Sequence, residues 1–153
     1  VPNQNTGQVD VRGPRFTAWV TTVVLVAALF ASVASYAAAA VVLAVQAVVF
    51  AIGAIGGPRR HPYGRVFAGF IAPRLGPVTE TEPVPPLKFA QSVGLFFAVV
   101  GAVGFAIGLG PVGLAATAVA LVAAFLNAAF GICLGCQLYP LVARLRRAPA
   151  PSS

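Results

Sequence analysis

Apolar positions along this chain run in long unbroken stretches rather than in a two- or four-residue alternation. Four can be drawn: Phe16 to Ser35, Ala37 to Gly57, Phe89 to Leu109 and Val112 to Leu134. Each runs about 20 residues, enough for a helix to cross a hydrocarbon core of roughly 30 Å. None contains Asp, Glu, Lys, Arg or His. The first two stretches nearly touch, so length divides them, with a tight turn expected near "SVASY" (Ser32 to Tyr36). The second pair is divided by "GLGPVG" (Gly108 to Gly113), where glycine and proline mark a hairpin tip. The pattern predicts an all-α integral membrane bundle of four transmembrane helices arranged as two hairpins.

Composition agrees. Of 153 residues, 59% are hydrophobic and 8% charged, and the mean hydropathy is +0.91. A water-soluble domain carries about a quarter charged residues, so this chain lacks the charge to clothe a solvated surface. A cleaved leader is disfavoured. Arg12 and Arg15 precede an apolar run and "SVAS" offers small residues, but the run continues to Gly57.

The ten basic residues sort by segment. Arg12 and Arg15 precede the first span; Arg59, Arg60, Arg65, Arg74 and Lys88 lie between the second and third; Arg144, Arg146 and Arg147 follow the fourth. The hairpin tips hold none. Basic residues concentrate on the cytoplasmic side of membrane proteins, which predicts a multi-pass protein of the bacterial plasma (inner) membrane with both termini cytoplasmic. The net charge of +7 is then a topology signal and an attraction to the lipid bilayer, not a nucleic-acid footprint. The expected organisation is a cytoplasmic segment 1–15, a first hairpin 16–57, a cytoplasmic loop 58–88, a second hairpin 89–134 and a basic cytoplasmic tail 135–153.

Within the loop, "YGRVFAGFIAPRL" reads as a short interfacial helix, with Phe67, Phe70 and Ile71 facing lipid and Arg65 and Arg74 reaching headgroups. "GPVTETEPVPPL" (Gly76 to Leu87) reads as a stiff proline-rich spacer. His61, beside Arg59 and Arg60, reads as an interfacial loop residue. Glycines at Gly53/Gly57, Gly104/Gly108 and Gly131/Gly135 have the G-x-x-x-G spacing that lets helix backbones approach. Gln46, mid-span, is expected to hydrogen-bond across the bundle. The spans carry no ionisable residue of the kind that marks ion or proton paths.

The candidate chemistry is Cys133 and Cys136, the only two cysteines, at the cytoplasmic boundary of the last span. On a helix they share one face with Cα atoms about 5 Å apart, within disulfide range. Three uses stay open: a thiol redox or sulfur-relay pair, a packed helix seam, and a metal site. Zinc wants four donors, and Cys133, Cys136 and His61 do not supply them, so no metal is expected; no cofactor is indicated. A redox role depends on the helix breaking at Gly131, because a thiolate is stabilised at the start of a helix and opposed at its end.

"VDVRGPRFTA" (Val9 to Ala18), "HPYGRVFAGFIAPRL" (His61 to Leu75) and "AFGICLGC" (Ala129 to Cys136) resemble a bacterial four-helix integral membrane family of the DUF4395 type, a domain of unknown function with a C-x-G-C pair in its last hairpin. The resemblance implies the architecture above and carries over Cys133, Gly135 and Cys136 as motif positions. It also implies a soluble thioredoxin-like or sulfurtransferase partner. Thiol exchange with such a partner is therefore one expectation, by a protein that need not itself be an enzyme. The other is a non-catalytic scaffold or accessory subunit of a larger membrane complex.

Overall fold

The computed structural model describes residues 8–147. The ends of the expected N-terminal segment and basic tail, and the side chains of Arg146 and Arg147, lie outside the described residues. Four long helices dominate: α1 (Arg12–Ala34), α2 (Tyr36–Gly56), α4 (Val84–Ala106) and α5 (Gly110–Phe130), of 23, 21, 23 and 21 residues. At 1.5 Å per residue these span about 32–35 Å, and all four are long and apolar enough to cross a membrane. Most of their side chains face outward. Val33 and Ile55 are 86% and 79% exposed, an apolar surface that water would not tolerate and lipid requires.

Turns are short and locally specified. Ser35 alone joins α1 to α2; its backbone is extended and its side chain accepts the Ala38 N–H at 3.1 Å, capping α2. At the other tip Pro111 sits in the first turn of α5, where a missing N–H costs nothing. Helices α1 and α5 pack together, as do α2 and α4, and each hairpin packs internally, closing a four-membered ring. Its core joins Leu25 and Ala28 of α1, Ala39 and Leu43 of α2, Phe105 of α4 and Ala120 of α5. Buried hydroxyls are mostly satisfied within their own helices: Thr22 donates to Ala18 O at 2.8 Å and Thr117 to Gly113 O at 2.7 Å, as a water-free interior demands.

The two hairpin tips meet at one end, where the Tyr36 and Phe105 rings lie 5.2 Å apart. Everything else gathers at the other end. A strand β1 (Gln8–Asp10) pairs antiparallel with β2 (Thr81–Pro83), so the N-terminal segment is tied to the central loop. Asp10 takes a forked ion pair from Arg12, closest contact 2.8 Å, and this hydrogen bonding holds its carboxyl below the usual range. The Arg12 guanidinium also reaches Gly76 O, and Arg59 reaches Gln8 O.

Three expectations change here. The proline-rich stretch is not a free spacer: Thr81–Pro83 is a strand and Val84-Pro85-Pro86 opens α4. The loop helix exists as α3 (Pro62–Val66), continued by a π turn over Phe67–Ile71 and a 3₁₀ turn over Ala72–Arg74, but its aromatic face splits. Phe67 is buried against the Phe16 ring, centroids 5.8 Å apart, while Phe70 is 69% exposed. The wider π turn turns these two side chains to different sides. Finally, each G-x-x-x-G pair contains one glycine with positive φ: Gly57, Gly108 and Gly131. Those three end helices, so none of the pairs forms a continuous helix face.

Candidate functional site

The fourth long helix stops at Phe130, four residues before the expected boundary. Gly131 adopts φ +73°, ψ 17°, a left-handed conformation that side chains other than glycine's strain against. Its N–H returns to Asn127 O at 3.0 Å and the next N–H, of Ile132, to Leu126 O at 3.1 Å, so the closing carbonyls are occupied. The chain then leaves α5 and starts α6 (Leu134–Arg147).

Cys133 occupies the capping position of α6. Its carbonyl accepts the Gln137 N–H at 3.0 Å, and its sulfur accepts the Cys136 N–H at 3.1 Å, the bond a serine or aspartate makes at a helix start. The cysteines therefore do not close the spanning helix; they open a separate one. Their sulfurs are joined in a disulfide, with Cα atoms 5.1 Å apart, and both residues are partly exposed. A helix start favours negative charge on an atom at that seat.

Gly135, between the cysteines, sets where α6 lies. A Cβ there would fall 2.7 Å from the Cα of Ala90, so only glycine lets α6 rest directly on α4. The Phe89 and Tyr139 rings, 5.9 Å apart, continue the contact. Leu138, Leu141 and Leu145 form an exposed stripe at one-face helical spacing, suited to the membrane interface. Pro140 lies inside α6 and has no N–H to return to the Cys136 carbonyl.

A cation reaches the end of α5 from the other end of the chain. Arg15 donates to the carbonyls of Ala128 at 3.2 Å and Ala129 at 3.5 Å, at the negative end of α5. Its guanidinium is 3.9 Å from where a Cβ of Gly131 would stand. Glu82 feels the same arginine: burial and neighbouring Glu80 push its carboxyl up, and Arg15 opposes them.

Behind the disulfide a cavity of about 130 Å³ enters the bundle. Cys133, Leu134 and Gly135 form part of its wall, with α1, α4 and α5 supplying most of the rest. Its surface is largely apolar, through residues such as Phe97, Val119 and Ala123, but Thr17, Thr21, His61, Gln91 and Asn127 also line it. Thr21 is 3% exposed, and its Oγ1 has no hydrogen-bond partner among the described residues. Such an orphan is unusual, since buried hydroxyls almost always find one.

His61, read from sequence as an interfacial residue, is 2% exposed. Its Nδ1 accepts the Tyr63 N–H at 3.2 Å, capping α3, so Nε2 carries the proton and donates to Gln91 Oε1 at 3.1 Å. Burial pushes its pKa down to about 4, against the pull of the Gln91 bond. Gly53 of α2 makes room, a Cβ there lying 2.6 Å from the imidazole. Tyr63 in turn donates to Gln46 Oε1 at 2.7 Å; Gln46 thus bonds to the folded-in loop rather than to another spanning helix.

Sequence reasoning singled out both cysteines and named the break on which their setting depends. It missed Arg15, Thr21 and His61 as neighbours of the site. Among the described residues no three of His, Cys, Asp and Glu come together as metal ligands. A family model described as a domain of unknown function, DUF4395, matches residues 9–144. Neither a curated protein nor a solved structure matches the chain.

Proposed function

The chain belongs to the DUF4395 family, a domain of unknown function, and on that footing we propose that it is a membrane-anchored thiol–disulfide exchanger. Cys133 and Cys136 carry the exchange with a soluble partner of thioredoxin-like or sulfurtransferase type, at the cytoplasmic face of the plasma membrane. The observation that carries this reading is the seat of Cys133: a sulfur at a helix start, receiving a backbone N–H, bonded to a second sulfur one turn away. In reduced protein that N–H and the start of α6 stabilise an anionic sulfur, the nucleophile of exchange. Cys133 is then the sulfur that joins the partner's in the mixed disulfide, in either direction of exchange, and Cys136 the one released or rebonded as the Cys133–Cys136 bond opens or closes. Partial exposure of both gives a partner thiol access to the bond. The concentration of arginines at this end of the bundle supports its cytoplasmic placement.

A trap tests the reading. A Cys136→Ser variant, expressed in membranes, is expected to accumulate a mixed disulfide between Cys133 and a soluble partner, because the resolving thiol is gone. A Cys133→Ser variant is expected to trap far less. If Cys136→Ser traps nothing and both wild-type cysteines resist reduction and alkylation in intact membranes, the pair is a packed seam and the scaffold reading replaces this one.

A further inference from the structure

A disulfide exchanger with a single cysteine pair needs a second redox partner to turn over: each partner dithiol it oxidises leaves Cys133 and Cys136 reduced. The chain has no further cysteine. What it does have is the cavity that starts at Cys133 and runs between α1, α4 and α5. We propose that this cavity is a quinone site, binding the head ring of a membrane para-quinone beside the cysteine pair and accepting its electrons. The inference rests on the exchange reading above and names the oxidant that reading lacks.

Three features select a quinone. The first is size: a cavity of roughly 150 Å³ in a protein core takes a benzene ring, and this one, about 130 Å³, suits a single six-membered ring. The second is access. The surrounding helices are apolar and long enough to span a bilayer, so a lipid-soluble ligand reaches the wall from the membrane while its isoprenoid tail stays in lipid. The third is the polar inventory. A para-quinone is apolar apart from two carbonyl oxygens that accept hydrogen bonds. The wall offers separate donors: the Thr21 hydroxyl, which has no partner among the described residues, and the amides of Gln91 and Asn127. Leaving a hydroxyl unpaired in a buried site costs free energy, and a ligand carbonyl removes that cost.

The step balances. The dithiol of Cys133 and Cys136 loses two electrons and two protons as the S–S bond forms. The quinone gains both electrons and both protons and leaves as the hydroquinone. The partner's dithiol then reduces the Cys133–Cys136 bond by exchange, becoming a disulfide, so one partner disulfide forms per quinone reduced.

The test uses the full chain in detergent micelles, reduced and freed of reductant, with decylubiquinone as probe. Loss of quinone absorbance and loss of maleimide-reactive thiols are followed together. The expected result is one quinone reduced per cysteine pair closed, with saturation in quinone. Thr21→Val, which removes the hydroxyl and keeps the shape, is expected to raise the half-saturating quinone concentration about five- to tenfold. Ala123→Leu, which fills the wall away from the sulfurs, is expected to slow quinone reduction at least tenfold. Both variants are expected to exchange with oxidised glutathione at the wild-type rate, which also shows that they are folded. Quinone reduction that does not saturate, or that is unchanged in both variants, overturns the site. Partner trapping by Cys136→Ser without any quinone reduction by wild type sinks the quinone inference and leaves exchange standing. Saturable quinone reduction without trapping does the reverse.

Discussion

Acidification should destabilise this protein through His61, and the effect can be worked from the structure. The imidazole is buried, is held neutral by its surroundings, and has a pKa of about 4 against an ordinary value of 6.5. Between those values the unfolded chain binds a proton that the folded chain excludes. Stability is therefore intact above 6.5 and lost as the pH falls through the window. The full gap corresponds to about 3 kcal/mol, at 1.36 kcal/mol per unit of pKa; at pH 5 the loss is about 2 kcal/mol. For a chain of this size that lowers the unfolding midpoint by about 4–8 °C. The assay is thermal unfolding in detergent micelles at about pH 7.5 and pH 5, followed by the fluorescence of Trp19, the only tryptophan. His61→Asn is the comparison. Asparagine still caps α3 for the Tyr63 N–H but does not titrate, while Asp10, Glu80 and Glu82 are common to both proteins. The variant should lose about 2 kcal/mol less than wild type between the two pH values. Equal losses, to within about 0.5 kcal/mol, would refute the claim that this imidazole is buried and neutral.

Gly131→Ala forces a side chain into the left-handed turn and should cost about 1–2 kcal/mol. It should also slow exchange with oxidised glutathione, because Cys133 loses its seat; an unchanged rate would show that the break is not needed. Phe67→Ala should cost about 3 kcal/mol or more, measured by thermal unfolding, whereas Phe70→Ala should cost under about 1 kcal/mol; similar costs would mean that the π turn does not separate the two rings. In a cysteine-free background, Leu109→Cys and Thr79→Cys, both at exposed positions, should label with a membrane-impermeant maleimide from opposite sides of the membrane. Labelling from the same side would overturn the topology and relocate the native pair with it.

Much of this protein was legible without coordinates. Four uncharged stretches of about 20 residues have one stable form in a bilayer, since every backbone polar group must be satisfied within its own helix. The basic residues all lie outside those stretches, because charge is expensive inside a bilayer. Even the spacing of Cys133 and Cys136 set their separation in advance, because rise and turn are properties of the backbone.

Other features depended on partners distant in sequence. Gly131 could continue a helix or end one, and local sequence does not decide between a packing glycine and a left-handed cap. The same ambiguity hid the role of Gly57 and Gly108. Phe67 and Phe70 have the spacing of one α-helical face, and only the π turn divides them. His61 reads as interfacial because its neighbours are arginines; it is buried because Gly53 of α2 and Gln91 of α4 leave a place for its ring. Arg15 reaches the end of α5 across 113 positions of sequence, and Thr21 lines a cavity that exists only where three helices fail to close. Apolar length acts through each segment's own contact with its surroundings, so the sequence alone determined the four long apolar helices. The seat of Cys133, the cavity behind it and the buried imidazole arise from contacts between segments, and the tertiary structure alone decided them.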